Sequence, residues 1–107
     1  MIWLVTLGGA FPLSYTNDAT ARLTIAGTSF QLYKGPRGGH GASTIFTFVA
    51  DSDQSSYSGD LLDFFQYLVD NEGVSSSVYL QSIGAGIEAF TGSAVTFQTA
   101  AYSVSAV

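Results

Sequence analysis

Short β-type runs separated by glycine-containing turns are the feature that most constrains the fold of this chain. Residues 20–26 alternate apolar and polar side chains, and residues 29–34 do the same after a turn at Gly27-Thr28. Such a pair of runs predicts a β-hairpin. Residues 44–50 predict another strand, with Phe46 and Phe48 on one face and Ile45, Thr47 and Val49 on the other. The middle of the chain is therefore expected to form an antiparallel sheet.

Both ends of the chain also have β-type composition. Residues 1–7 are nearly all apolar or β-branched, which is typical of a strand buried on both faces. Residues 78–83 and 94–105 predict two further strands. The glycine-rich segment 35–41, which precedes the strand at 44–50, predicts a loop.

One segment departs from the β pattern. Its apolar side chains recur at i, i+3, i+4 and i+7, at Leu61, Phe64, Phe65 and Leu68. This spacing predicts an α-helix near residues 60–71 that packs against the sheet. Ser58 can cap the start of this helix and Gly73 can end it.

Many short strands with one helix predict a mostly β protein of the sandwich type. About six strands are few for a closed sandwich, and they would leave sheet edges and one apolar face uncovered. We therefore expect residues 1–107 to form a single, incomplete domain.

The composition limits the classes of partner. Charged residues make up only 10% of the chain and the net charge is −5, against roughly 25% charged residues in typical domains. A surface of neutral polar side chains suits contact with neutral polymers such as polysaccharides. The chain has only three basic residues, so nucleic acid is not an expected partner.

The sequence also limits which kinds of site and which cellular locations are expected. No apolar run approaches the ~18 residues of a membrane span, so no membrane association is expected. The first residues lack the basic region of a signal peptide, which fits a mature, trimmed or cytosolic chain. The chain has no cysteine, which excludes thiolate metal sites. We expect no metal and no cofactor, and we interpret His40 as a surface residue.

Glu88 is the residue with the strongest catalytic potential. It lies among Gly84, Gly86 and Gly92, and glycines let a ligand approach the backbone closely. Apolar neighbours raise the pKa of a carboxyl group, as a general acid requires. Composition alone favours the alternative that Glu88 is a surface residue before a turn. Glu72, at the end of the predicted helix, is interpreted as solvated surface.

Several segments, taken in order, resemble one family. They are residues 1–4, Gly8-Gly9 with Pro12, Leu32-Tyr33 with Gly35-Pro36, residues 46–50, 57–60 and 63–68, and Glu88 with residues 90–92. In this register the chain resembles the C-terminal half of a glycoside hydrolase family 12 enzyme. This is the family of β-1,4-endoglucanases and xyloglucanases. The resemblance implies a partial β-jelly-roll sandwich of antiparallel strands with one α-helix near residues 60–71. The resemblance is closer to the xyloglucan-active members of plant-associated fungi and oomycetes than to bacterial cellulases.

The resemblance also implies a mechanism. Enzymes of this family use two glutamates about 5–5.5 Å apart in a retaining mechanism. Glu88 matches the acid/base, and the nucleophile would stand two residues upstream of Met1, outside this sequence. None of the aspartates lies on the strand that carries Trp3. Because a covalent nucleophile contributes orders of magnitude in rate, we expect no useful hydrolysis.

Four residues are candidates for substrate contact. By the resemblance, Met1 and Trp3 share the face that would carry the nucleophile, and Pro12 follows in the next turn. Trp3 and Phe90 could stack on sugar rings, or both could be core residues; the sequence leaves this choice open.

Three hypotheses for function follow. The first is a catalytically inactive, truncated xyloglucanase-like protein, secreted into the plant apoplast. It would bind a plant pepsin-like glucanase inhibitor protein and so act as a decoy. The second is the C-terminal half of an active retaining xyloglucan-specific endo-β-1,4-glucanase whose other half is on another chain or missing from the sequence. The third is a carbohydrate-binding module that contacts xyloglucan weakly through Trp3.

Overall fold

A computed structural model describes residues 1–38, 43–88, 90, 92–93, 96 and 98–105. The chain divides into two units, Met1–Ser76 and Ser77–Val107. All helices and strands of the described residues lie in the first unit. They are β1 (Ile2–Trp3), β2 (Ala21–Ile25), β3 (Thr28–Pro36), β4 (Thr44–Ala50) and α1 (Leu62–Glu72).

The four strands form one sheet in the order β1-β4-β3-β2. β2 and β3 pair antiparallel across a turn in which Ala26 and Gly27 have positive φ, which confirms the predicted hairpin. β3 and β4 are also antiparallel, with Leu32 opposite Phe48. β1 pairs with β4 in parallel, so this one pair differs from the predicted antiparallel arrangement.

The apolar core lies between the sheet and α1. Phe30, Leu32 and Phe48 line one face of the sheet, and Phe64 and Leu68 of the helix pack against it. The ring centroids of Phe30 and Phe48 lie 5.1 and 5.0 Å from that of Phe64, in edge-to-face geometry. Such pairs add to the burial energy of the rings. We call this side of the sheet the helix face.

The helix largely confirms its prediction but begins differently. Gly73 ends α1 in the left-handed conformation, and its N–H donates to the carbonyl of Leu68. At the start, the Leu62 N–H donates to the Asp60 carboxylate at 3.0 Å, so the predicted Ser58 cap is wrong. Phe65, predicted on the packed face, is 44% exposed, because the buried stripe is narrower than the apolar pattern.

Two boundaries near the sheet also differ from the sequence predictions. β1 covers only Ile2–Trp3 and not residues 1–7. Beyond β1, the Leu4 carbonyl accepts from the N–H of Gln54, and the Thr6 N–H donates to the carboxylate of Asp53. The side chain of Asp53 thus replaces a strand partner. Gly35 and Pro36 were predicted as loop. They belong to β3 instead, because β4 pairs with both.

The second unit has no helix or strand in its described residues. The strand predicted at residues 78–83 is therefore wrong. The strand predicted at 94–105 is also absent from its described part, whereas residues 94, 95 and 97 lie outside the description. β-propensity reflects packing against neighbouring strands, and no strand pairs with the described residues of these two segments.

The mostly β class with one helix is confirmed. Among the described residues, no helix combines the length and apolar character that crossing a lipid bilayer requires.

Candidate functional site

The face of the sheet opposite α1 carries the first group of candidate residues. Trp3 stands opposite Val49, and Val49 stands opposite Gln31. Directly opposed residues share a face, so these three form one row across β1, β4 and β3. Side chains alternate along a strand, which places Met1 on the same face as Trp3. Ile2 and Leu4 instead pack against the core. We call this side of the sheet the opposite face.

Met1 is joined to β4 through its backbone. Its terminal ammonium donates to the Phe46 carbonyl, and its own carbonyl accepts from the Phe48 N–H. Burial lowers the pKa of this ammonium below its ordinary value. The Met1 side chain remains accessible, since the residue is half exposed.

Polar side chains continue the opposite face beyond Trp3. The Tyr33 hydroxyl donates to Gln31 Oε1 at 3.0 Å. Gln31 Nε2 donates in turn to Asp51 Oδ1, also at 3.0 Å. Tyr33 itself is buried, and the edge-to-face ring of Phe11 lies 5.2 Å from it. The result is a hydrogen-bonded chain, Tyr33–Gln31–Asp51, on the opposite face.

A segment around Pro12 crosses the end of this face. A Cβ atom on Gly35 would collide with the backbone carbonyl of Leu13, so only glycine allows the two backbones to approach so closely. The Tyr15 N–H donates to the Lys34 carbonyl at 2.9 Å and fixes the end of the segment. Pro12 is buried, whereas its neighbour Phe11 is half exposed.

Thr47 is a polar residue buried on the opposite face. It is fully buried in β4 beside Tyr33, its partner across the strands. Its hydroxyl has no hydrogen-bond partner among the described residues. An unpaired buried hydroxyl costs free energy, so Thr47 is a local weak point of the sheet.

Glu88 and Phe90 belong to the second unit. Both are exposed in irregular backbone, and Phe90 is 57% exposed. Glu88 carries the only carboxylate side chain among residues 77–107. Residues 77–107 therefore hold a single carboxylate side chain, whereas a retaining mechanism requires two.

The other seven acidic residues lie in the first unit, and none is on β1. They are Asp18, Asp51, Asp53, Asp60, Asp63, Asp70 and Glu72. Several have structural partners. Asp51 accepts a hydrogen bond from Gln31, and Asp60 accepts one from the first turn of α1. Glu72 forms an ion pair with Lys34. The interpretation of Glu72 as solvated surface is wrong, because its side chain is only 10% exposed.

No group of three or more metal-ligating side chains occurs in the part of the chain that the structure describes. His40 lies outside the described residues. The prediction that no metal or cofactor is needed stays a prediction.

Sequence reasoning did not find the Tyr33–Gln31–Asp51 chain. Gln31 and Tyr33 stand two residues apart in an alternating strand, which already places them on one face. Asp51 follows directly after the predicted strand at 44–50. The missing information was the register, which brings the end of β4 beside Gln31.

Comparison with known proteins defines the class of protein. The sequence profile of the family described as glycosyl hydrolase family 12 matches residues 1–106 of this chain. The chain therefore belongs to glycosyl hydrolase family 12, as its segments predicted. The predicted fold class, a partial β-jelly-roll with one helix, is confirmed as well.

Particular relatives are close in sequence. The chain is 52% identical over 105 residues to xyloglucan-specific endo-beta-1,4-glucanase A of Aspergillus aculeatus. It is 48% identical to the protein of the same name from Emericella nidulans. Each match covers 98% of this chain but 43% of the relative, so the chain spans less than half the length of either relative.

A solved structure is also similar. The crystal structure of Trichoderma harzianum endoglucanase 3 matches 71% of this chain and 31% of its own, with a TM-score of 0.62 and 39% identity.

Proposed function

We propose that this chain is a xyloglucanase-like protein that acts by binding rather than by hydrolysis. The supporting observation is the distribution of carboxylates. Glu88 is the sole carboxylate side chain of its unit. β1 carries no acidic residue, although by resemblance it lines a cleft. A retaining mechanism needs two carboxyl groups about 5–5.5 Å apart, and neither β1 nor residues 77–107 carry a second acid beside Glu88.

The partner that we propose is a plant pepsin-like glucanase inhibitor protein, met after secretion into the apoplast. About half of the residues are identical to those of xyloglucan-specific enzymes. We expect a chain with this much sequence in common with them to compete with an active enzyme for a protein that recognises them. Occupying the inhibitor would leave the active enzyme free to act.

A competition experiment tests this proposal. The purified chain would be incubated with an immobilised plant xyloglucanase inhibitor, and a full-length active xyloglucanase would be titrated in. We expect the chain to be retained, and to be displaced as the enzyme concentration rises. Absence of retention, or retention that the active enzyme does not reduce, would contradict the decoy role.

A second candidate is one part of a working retaining enzyme. It is favoured by the presence of Glu88 in a segment that resembles the acid/base, and by the similarity to proteins named as glucanases. Mixing the chain with a separately produced N-terminal half of a family member, and assaying reducing ends on xyloglucan, decides between the two. Activity that Glu88→Gln abolishes would establish the second candidate, and no activity supports the first.

We also propose a weak contact between the chain and xyloglucan. Trp3 and Met1 share the opposite face, and Phe90 is exposed in the second unit. Pro12 is buried, so we assign it to holding its segment in place. Because Trp3 is the sole tryptophan, its fluorescence reports this contact directly; a flat titration with xyloglucan oligosaccharides would argue against it.

A further inference from the structure

The spacing between Trp3 and Gln31 suggests a composite site on the opposite face. The two residues are separated by one strand, with the half-buried Val49 between them. Adjacent strands lie about 4.8 Å apart, so their backbones are about 10 Å apart. An aromatic side chain therefore stands at one end of a short apolar floor, and an amide stands at the other end.

The chemistry of its neighbours fixes the orientation of the Gln31 amide. An ionised carboxylate only accepts hydrogen bonds, so the atom that faces Asp51 must be the nitrogen. The amide oxygen then faces Tyr33, whose hydroxyl must donate. Since Tyr33 is buried against Phe11, the amide is held from both sides and cannot flip without losing both bonds.

The held amide keeps hydrogen-bonding capacity. A primary amide offers two N–H donors and two lone pairs, and one of each is used by Asp51 and Tyr33. One donor and one acceptor of Gln31 remain, beside an exposed carboxylate. Adjacent hydroxyl groups of a sugar ring can each donate and accept, so they match this set.

We propose that Gln31 is a sugar-binding residue, and that Asp51 and Tyr33 are positioning residues that hold its amide. The ligand class is a β-linked glucan chain, with one ring stacked near Trp3 and adjacent hydroxyls of a ring bonded to Gln31. This inference rests on the xyloglucan contact proposed above and adds a polar contact to it. It is independent of the decoy role.

The charges of the site favour a neutral ligand. Asp51 would repel an anionic polymer, and Arg22, the exposed residue opposite Gln31 on β2, would oppose a cationic one. A neutral ligand rich in hydroxyl groups is repelled by neither charge, and the aromatic face of Trp3 offers it an apolar surface.

The chain contains a matched control for this site. On α1, Gln66 Nε2 donates to Asp70 Oδ1 at 2.9 Å, which is the same pairing of amide and carboxylate. The Gln66–Asp70 pair lies on the helix, away from the opposite face. Variants of the two pairs change the same chemistry in two different places.

The experiment is native electrophoresis of the whole chain in gels with and without soluble xyloglucan. We expect xyloglucan to retard the parent chain, and Gln31→Ala to weaken binding about fivefold to tenfold, since each lost hydrogen bond contributes about 1 kcal/mol. Gln66→Ala should bind like the parent. Asp51→Ala should weaken binding, and Asp51→Asn should restore most of it, because its amide oxygen can still accept from Gln31.

Either of two results would overturn the inference: a parent chain that is not retarded, or a Gln31→Ala variant as strongly retarded as Gln66→Ala. Thermal unfolding of each variant separates loss of binding from loss of folding. If Gln31→Ala unfolds, the comparison of Asp51→Ala with Asp51→Asn decides. Retention on the immobilised inhibitor is measured separately, so failure of this site leaves the decoy role intact.

Discussion

Lys34 Nζ lies 2.9 Å from Glu72 Oε2 and joins the centre of the sheet to the last turn of the helix. An acidic side chain at a helix C-terminus opposes the helix dipole. Lys34 offsets this effect, and it does so in a partly buried setting, since the Glu72 side chain is 10% exposed. The ion pair therefore connects β3 to α1 where the aromatic core ends.

Removing one partner of this pair should destabilise the first unit. We expect Lys34→Met to lower the free energy of unfolding by about 1 kcal/mol, the upper end for pairs that are partly exposed. The loss should shrink in high salt, because salt screens the ion pair. Urea unfolding of Lys34→Met, Glu72→Gln and the double variant gives the coupling energy. A coupling of zero would contradict a stabilising role.

Phe30 should be the most sensitive core position. It is fully buried and contacts the rings of Phe48, Tyr57 and Phe64 edge to face. Truncating such a residue costs about 3–5 kcal/mol, so we expect Phe30→Ala to unfold at much lower urea concentration. Phe30→Leu keeps most of the volume and should cost less. Exposed Phe65→Ala serves as the control, and an equal loss there would contradict the assigned core.

Gly35 should tolerate no side chain. In Gly35→Ala the new methyl group would collide with Leu13, and overpacking of this kind costs about 1–3 kcal/mol. We also expect the edge contact between Phe11 and Tyr33 to loosen, which ring chemical shifts in NMR spectra would report. Gly38→Ala is the control, because no atom of the described residues lies within 4 Å of the added atom. Equal behaviour of the two variants would refute the close crossing.

Replacing the hydroxyl of Thr47 by a methyl group should stabilise the sheet. Thr47→Val keeps the shape and removes a buried group with no partner among the described residues. We expect a gain of about 1 kcal/mol in thermal or urea unfolding. Thr47→Ala should instead destabilise, because it leaves a cavity. A loss of stability in Thr47→Val would mean that the hydroxyl is hydrogen-bonded in solution.

Tyr57 should make the stability of the first unit fall at alkaline pH. Burial raises the pKa of its phenol, and the negative charge of Asp63 adds to the effect. The unfolded chain releases this proton near pH 10 and the folded chain only at higher pH. The contribution of Tyr57 to the free energy of unfolding is therefore fully present below about pH 10. It is lost as the pH rises through the pKa of Tyr57 in the folded chain.

Urea unfolding between about pH 9 and 11 measures this dependence. Tyr57→Phe should flatten the alkaline fall, and Asp63→Asn should reduce it because one of its two causes is gone. A Tyr57→Phe variant with the same slope as the parent would exclude this residue as the source.

The elements defined by local pattern could be predicted from the sequence. The hairpin around Gly27 and the helix that ends at Gly73 follow from alternation, periodicity and turn chemistry. The strand at 44–50 was predicted with its full bounds. Residues 78–83 carry equally strong β-type composition but form no strand, because strand formation depends on a neighbouring edge that composition does not describe.

The candidate site was predictable only in part. Trp3 and Met1 were assigned to one face because side chains alternate along a strand, and the structure places both on β1 or beside it. Gln31 was not recognised, since its role depends on Asp51, which lies 20 residues away in sequence. The register between β3 and β4 brings this pair together. The seven residues that connect the two strands give no tight-turn signal from which that register could be predicted.

The row from Trp3 through Val49 to Gln31 has a consequence for how this surface can change. Its width is a multiple of the strand repeat and is held by backbone hydrogen bonds, so no side-chain substitution can alter it. Its depth depends on the side chain at Val49, which lies between the two ends. Substitutions at that position would deepen or fill the floor while the aromatic and amide groups at its ends keep their separation.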